Sequence, residues 1–402
     1  MERICVLGGA GFLGSNFIDF LINENYRIIC VDNLSYSGFL FNLKPYIDKS
    51  RIIALKEGKD FFEVQFNIYN SDSGFYRNVF LNKIFYEKFN EKIKGYNLNV
   101  FEREDDFKKE IENFLKNEEK FIFILGSITD EKILDIIFEY SDYVLNFAAE
   151  THVDKSIISQ EEFIFTDIIG TYKILKTLKK YKNVKKFIQI STDEVYGSSI
   201  EGSFKENDIL NPTSPYSASK ASADLLCLSF YKTFNLPVII VRPSNNYGPK
   251  QYPEKFIPLS IIKILRNEKV PIYGNGRQKR EWIHVNDTAY GIYTVLKKGE
   301  IGEIYNIGSG FEIENIELVK VIGKFMGKDK DFYEFVKDRP SHDARYFLDS
   351  SKIRKLGWEP KINFYDGIKR TIEFYKENKE FYFKILESEE FKSFYNLWYQ
   401  KR

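Results

Sequence analysis

Short, nearly unbroken apolar runs recur along the first 250 residues, at 3–7, 27–31, 121–125, 143–147, 186–191 and 237–242. Each is strand length, and none alternates strictly with polar residues, so they predict strands buried on both faces of a sheet. Helix-length amphipathic segments lie between several of them. Strands alternating with helices predict an α/β fold, a doubly wound parallel sheet of the Rossmann type, over residues 1–248. From about residue 249 the rhythm loosens, because Pro253, Pro258, Pro271, Gly274, Gly276 and Pro340 cut the chain into shorter elements. This predicts a smaller, loop-rich domain over 249–402, interleaved with the first. The segment 56–120 interrupts the alternation with crowded Phe, Tyr, Asn, Lys and Glu and no proline, and predicts added helices or a flap. The tail, 381–402, is aromatic and charged, with Trp398 near its end, and suggests no function by itself.

Composition narrows the classes. At 402 residues the chain exceeds the size at which single cores stop growing, which agrees with a Rossmann-type domain plus a companion. Charged residues make up 29% but cancel to a net +1, so no global field favours nucleic acid or an anionic membrane, and an anionic ligand requires locally placed Arg and Lys. Cys5, Cys30 and Cys227 are widely spaced and form no C-x-x-C pair, which predicts buried thiols in a reducing compartment. No signal-peptide layout opens the chain and no apolar run approaches the ~20 residues of a membrane span, so a cytoplasmic enzyme is expected.

Gly9, Gly11 and Gly14 follow the first predicted strand and open the first predicted helix, the context in which a G-x-G-x-x-G spacing lets a backbone approach a pyrophosphate. A tight turn alone is the plainer alternative. Asp32, ending the second strand, supplies an acceptor for a ribose diol and repels a 2′-phosphate, favouring NAD over NADP. Tyr216 and Lys220 stand four residues apart and share a helix face, a spacing that also arises by chance. The ammonium, with an oxidised nicotinamide, would favour the Tyr216 phenolate as a base. At the C-terminal end of a predicted strand lie Thr192, placed to hydrogen-bond a reacting hydroxyl, and the neighbours Asp193 and Glu194. Two adjacent carboxyl groups suit an elimination that requires one acid and one base. Taken as an isolated dipeptide they would more often cap the next segment. The spacing of His152, His284 and His342 does not suit a metal, and none is expected.

The run Val6-Leu-Gly-Gly-Ala-Gly-Phe-Leu-Gly-Ser-Asn16 resembles the opening of the extended short-chain dehydrogenases/reductases. Ser191-Thr-Asp-Glu-Val-Tyr-Gly197, ahead of Tyr216-x-x-x-Lys220, resembles the dTDP-glucose 4,6-dehydratase family, and the likeness extends over nearly the whole chain apart from 56–120. It implies oxidation of a nucleotide-linked hexose at C4, removal of the C5 proton by Glu194, protonation of the departing C6 hydroxyl by Asp193, and hydride return to C6, yielding a 4-keto-6-deoxy sugar. Thr192, Asp193, Glu194, Tyr216 and Lys220 are the implied catalytic set. The implied NAD contacts are Gly8, Gly11, Phe12, Leu13, Gly14, Asp32 and Asn33 at the adenosine and pyrophosphate end. They continue through Ser127, Ile128, Phe147, Ala148, Ala149, Thr166 and Asn246, joined by Tyr216 and Lys220. Substrate contacts are implied at Thr151, Thr192, Asn245, Lys255 and Phe256, at Pro271, Ile272 and Tyr273, and at Asn315. Arg280, Asp338, Arg339 and His342 complete them, the arginines clamping the diphosphate. A homodimer through a four-helix interface is implied as well.

Three departures from the family's pattern stand out. Ser127 replaces a carboxylate expected near the adenine amino group, Glu281 replaces an Asp before Trp282, and Ser341 replaces a Gly. The inserted segment, beside the adenosine side of the cofactor, is expected to form a flap or a subunit contact. A C4 epimerase or decarboxylase built on Tyr216 and Lys220 is the nearest alternative, and a non-catalytic NAD-binding regulator the remotest. The sequence leaves open the base of the nucleotide and the choice between glucose and an N-acetylated hexosamine. By resemblance thymidine and glucose are expected.

Overall fold

The computed structural model describes residues 1–47, 52–55, 67–68, 77–78, 92–93, 96, 98–199, 201–340 and 342–400. Its centre is a sheet of nine strands: β1 (Glu2–Leu7), β2 (Tyr26–Asp32), β3 (Ile52–Leu55), β4 (Leu98–Phe101), β5 (Phe121–Leu125), β6 (Tyr143–Asn146), β7 (Lys186–Ile190), β8 (Val238–Pro243) and β9 (Ile304–Ile307). Their order is β9-β8-β7-β6-β1-β2-β5-β3-β4, and every neighbouring pair is parallel. The strand order reverses at β1, so the chain leaves a crevice beyond the carboxyl ends of β1 and β6.

The apolar runs become strands because helices cover both faces. One core gathers Ile4, Val6, Phe17, Ile28, Phe123 and Ile188 on one side, and another gathers Cys5, Leu7, Ile29, Ile122, Ile137 and Phe187 on the other. Residues adjacent in sequence thus alternate between two cores, which is why the strands lack polar positions. A third core, including Tyr247, Ile257, Trp282, Ile316 and Phe364, belongs to the C-terminal part.

All six predicted apolar runs lie in the parallel sheet. Three strands do not appear among them. β3 and β4 extend the sheet past β5 at one edge, and β9 closes the other by pairing Ile304–Ile307 with Ile240–Pro243. β9 lies after the point where the rhythm loosened, and the helix Val285–Lys298 before it packs on Phe12–Leu21. Within 56–120 the structure describes strand β4 and the amphipathic helix Glu104–Lys116, whose Phe107, Ile111 and Phe114 are buried. The helix was expected and the edge strand was not. Asn67–Ile68 also pairs antiparallel with Arg77–Asn78, while most of the remaining flap, and Ser341, lie outside the described residues. No helix among the described residues is long and apolar enough to cross a membrane.

Candidate active site

A cavity of about 650 Å³ opens along the carboxyl edge of the sheet. Gly8, Asp32, Gly126, Phe147, Ser191 and Ser244, each at or just past the end of a different strand, contribute to its wall.

At one end the wall is backbone. Gly8 adopts φ +76°, and a Cβ there would fall 2.4 Å from the Ala148 nitrogen. A Cβ on Gly14 would fall 2.3 Å from the Gly8 carbonyl oxygen, so both positions exclude a side chain. Gly11 precedes the helix Phe12–Leu21, and no side chain caps that helix, so its amino-terminal N–H groups are left to a ligand. Asp32 accepts from Ala10 N at 2.9 Å and Leu34 N at 2.7 Å. Burial raises its pKa, and these two donors oppose the shift. Phe12, Leu13, Asn33, Ile128, Ala148, Ala149 and Thr166 line the same stretch. Ser127 does too, its hydroxyl bonded to that of Thr129 at 2.8 Å in place of a carboxylate. The bare turn, the uncapped helix and the acceptor at Asp32 fit a dinucleotide.

Lys92, from the inserted segment, was not anticipated. Its ammonium donates to the carbonyls of Leu34 at 2.9 Å, Gly38 at 3.2 Å and Ser35, lies 4.4 Å from the Phe39 ring centre and lines the cavity beside Asp32. A lysine among many in a charged segment carries no signal that could have singled it out.

In the middle of the cavity the titratable groups converge. Ser214 caps the helix Pro215–Phe234 in a reciprocal box with Ser217, and Pro215 occupies its first turn, so the helix starts one residue before Tyr216. Thr192 follows β7 and caps the short turn Asp193–Tyr196, accepting from Glu194 N at 3.3 Å. These two caps place the side chains of Thr192 and Tyr216 on the same cavity wall. Lys220 is buried and donates to the Ile190 carbonyl at 2.8 Å, and its side chain is not part of the cavity wall. The sequence reading had the lysine favouring the phenolate. The surroundings instead push Tyr216 well above its ordinary value, first through burial and then through the carboxylates of Glu194 and Asp167.

The two adjacent carboxyls are separated by their neighbours. Asp193 accepts from the Thr192 hydroxyl at 3.2 Å and Asn245 Nδ2 at 3.4 Å. Burial, then Glu194 and Glu281, hold it well above the usual carboxylate range. Glu194 is also raised by burial, but Arg339, Lys255 and Arg280 pull the other way. Both are raised, Asp193 the more strongly, and the difference favours Asp193 as the acid and Glu194, tempered by three cations, as the base. Glu281, the replacement before Trp282, is buried, accepts from Gly310 N at 2.7 Å and Leu348 N at 3.0 Å, and helps keep Asp193 protonated.

The far end is built from side chains. Lys255 donates to the Thr151 carbonyl, and burial lowers its pKa. Arg280 donates to the Asp343 carbonyl at 2.9 Å, with its guanidinium 4.5 Å from the Tyr346 ring centre. Arg339 pairs with Asp154 at 3.3 Å. Asn246, Phe256, Pro271, Ile272, Tyr273, Asn315 and His342 complete the wall. Asp338 stands behind it, bonded to His342 Nδ1 at 2.6 Å and Gln278 Nε2 at 3.1 Å. Between the two ends lies a buried group that sequence reasoning missed. Tyr36 donates to Glu254 at 2.6 Å, Glu150 is pushed up to about 8 by burial, and His152 is held neutral. Glu150 and His152 flank the implied contact Thr151, but nothing in the sequence says that their side chains turn inward.

A family model described as GDP-mannose 4,6 dehydratase matches residues 86–371, and one described as NAD dependent epimerase/dehydratase family matches 4–65. Among curated proteins, the low-salt glycan biosynthesis protein Agl12 of Haloferax volcanii is 36% identical over 378 residues, covering 94% of this chain and 99% of the other. A dTDP-glucose 4,6-dehydratase of Streptomyces niveus is 35% identical over 384 residues, covering 94% of each. Among solved structures, the dTDP-glucose 4,6-dehydratase DesIV of Streptomyces venezuelae, with NAD and dTDP bound, superposes with a TM-score of 0.76 at 34% identity, covering 96% of this chain and all of that one.

Proposed function

Since the chain belongs to the dTDP-glucose 4,6-dehydratase family of extended short-chain dehydrogenases/reductases, we propose that it converts dTDP-glucose into the 4-keto-6-deoxy sugar and water, with NAD as a recycled cofactor. The observation that carries the reading is the meeting, in one cavity, of Thr192 and Tyr216 with two adjacent carboxyl groups, of which Asp193 is held the more strongly toward its protonated form.

The glycine turn of Gly8, Gly11 and Gly14 receives the NAD pyrophosphate, and Asp32 takes the adenosine ribose diol. When bound, NAD supplies the transient oxidation at C4 and the reduction at C6, so no net redox change remains, and its positive ring offsets the carboxylates that hold Tyr216 protonated. Tyr216 then takes the C4 hydroxyl proton, with Thr192 holding the oxygen. The C4 ketone acidifies C5, where Glu194 removes the proton and returns it to C5 once C6 is reduced. Asp193, kept protonated by its surroundings, gives its proton to the C6 hydroxyl as water departs. Asn245 orients Asp193. Arg280, Arg339 and Lys255 face the diphosphate, while Phe256, Pro271, Ile272 and Tyr273 bound the nucleoside. Lys220 acts from behind, fixing the Ile190 carbonyl at the end of β7.

Incubating the purified protein with dTDP-, UDP-, CDP- and GDP-glucose, without added NAD, and following each by mass spectrometry tests the reading. Loss of one water from dTDP-glucose alone is the expected result. An isomeric sugar without water loss would assign an epimerase and remove the roles given to Asp193 and Glu194.

We further propose a homodimer. On the helices Thr171–Leu178 and Pro215–Phe234, Tyr172 is 41%, Leu225 58% and Phe234 43% exposed, an apolar face suited to a second copy of itself. Light scattering after size exclusion measures it. A cytoplasmic location agrees with the three cysteines, which are buried free thiols. The division at about residue 249 is kept as a division of labour, cofactor against substrate, with β9 returning to the first sheet.

A further inference from the structure

The aromatic tail meets the substrate end of the cavity. The helix Glu389–Tyr395 runs on through a wider turn, Asn396–Gln400, and its Phe394 ring meets the His152 ring edge-on at 5.1 Å. Trp398, four residues further, is 5% exposed, and its indole N–H donates to the Tyr273 hydroxyl at 2.6 Å. An indole nitrogen only donates, so the Tyr273 oxygen accepts there and its own proton is directed elsewhere. It goes to Asp154 Oδ2, at 2.7 Å. The other oxygen of Asp154 accepts from Arg339 Nη1 at 3.3 Å.

We propose that Trp398 is a positioning residue of the active site, acting through Tyr273 and Asp154 to fix the guanidinium of Arg339 toward the substrate diphosphate. The inference rests on the reading that Arg339 takes the diphosphate. Each bond in the relay has a single direction. Without the indole N–H, the Tyr273 hydroxyl loses the donor that directs its proton to Asp154, and the hold of Asp154 on Arg339 loosens. Asp154 is 3% exposed and Arg339 forms part of the cavity wall, so the slack is taken up toward the ligand and not in solvent. An indole serving only to fill space would be replaceable by another aromatic ring at no cost to binding.

The test compares the full-length wild type with Trp398→Phe, Tyr273→Phe and the double variant, measuring kcat and KM for dTDP-glucose and the dissociation constant of dTDP. Trp398→Phe is expected to raise KM and the dTDP constant about 3- to 10-fold, the size of one lost hydrogen bond, with a much smaller change in kcat. In the Tyr273→Phe background the same substitution should add nothing, because the hydroxyl through which it acts is gone. Equal effects of Trp398→Phe in both backgrounds, or an unchanged KM in a folded variant, overturn the relay. If Trp398→Phe does not fold, Tyr273→Phe, which leaves the indole in place, carries the test: it should raise KM by a similar factor, and an unchanged KM overturns the proposal. Failure of the wild type itself on every nucleotide-hexose would count against the proposed function, whereas a working wild type with an indifferent Trp398 removes this inference alone.

Discussion

The two ends of the cavity are built by different means. At the cofactor end the ligand surface is largely backbone, supplied by Gly8, the stretch Gly11 to Gly14 and one carboxylate, Asp32, and an added methyl on Gly8 or Gly14 would collide with main chain. At the substrate end it is side chain, drawn from segments as far apart as Thr151, Lys255, Arg280 and Arg339, with Trp398 behind Tyr273. The first arrangement tolerates almost no substitution but is written in a few adjacent letters. The second can be retuned one residue at a time, which suits a surface that must distinguish nucleotides. The catalytic groups lie between them and borrow from both, taking position from helix caps and protonation state from distant charges.

The sharpest break in this picture is at the centre. Tyr216→Phe keeps the ring and its packing while removing the group that accepts the C4 proton. Turnover should fall about 10²- to 10⁴-fold with dTDP binding nearly unchanged, measured by steady-state kinetics and calorimetry. A loss of binding in parallel would move Tyr216 from the chemistry to the structural wall.

Asp193→Asn removes the acid and should also cost about 10²-fold or more in turnover. It carries a pH signature. Asp193 has its pKa raised and acts protonated, so wild-type turnover falls as pH rises through that value. Glu194 acts ionised, so turnover falls as pH drops through its own raised value. The variant should lose the alkaline limb and keep the acidic one, whereas Glu194→Gln should do the reverse. If neither limb moves, the two roles are assigned wrongly.

Gly14→Ala tests the backbone end. Its Cβ would meet the Gly8 carbonyl oxygen at 2.3 Å and the Gly9 Cα at 2.8 Å, and neither neighbour is a flexible side chain. A loss of about 1–3 kcal/mol in stability, with NAD no longer retained through purification, is expected from thermal denaturation and absorbance of the released cofactor. No single aliphatic substitution along Pro271–Tyr273 should displace NAD.

The smallest effect concerns Glu150. Its folded pKa is about 8 against an ordinary 4.5, so between these values the folded state holds a proton that the unfolded state has released. Stability therefore falls as pH rises through that window. Glu150→Gln, which mimics the protonated form, should raise the melting temperature relative to wild type at pH 8.5 and leave it nearly equal at pH 4. An equal shift at both would assign the effect to packing alone.

The six apolar runs, the glycine turn, the cap before Tyr216 and the motif around Asp193 follow from local rules: burial on two faces excludes polar residues, tight turns exclude side chains, and caps need short polar groups. Those rules settled the parallel α/β fold, whereas most of the cavity wall was named only by the resemblance to the dTDP-glucose 4,6-dehydratase family. β4 and β9 escaped because an Asn, Asn99 or Asn306, interrupts each; β3, Ile52–Leu55, is as short and apolar as β6, which was read, so nothing in its own residues explains the miss. Asn306, buried in β9 and bonded to Tyr196 at 2.8 Å, breaks the apolar pattern outright. Protonation was likewise out of reach, since the pKa of Tyr216 depends on Glu194 and Asp167, and that of Asp193 on Glu281, across gaps that sequence spacing does not encode. Lys92, Glu150 and Trp398 were decided by tertiary structure alone. A charged or aromatic residue has one of many solvated or packed fates until the folded backbone sets which carbonyl, carboxylate or ring it meets, and electrostatic and hydrogen-bond energies depend on that distance rather than on position along the chain.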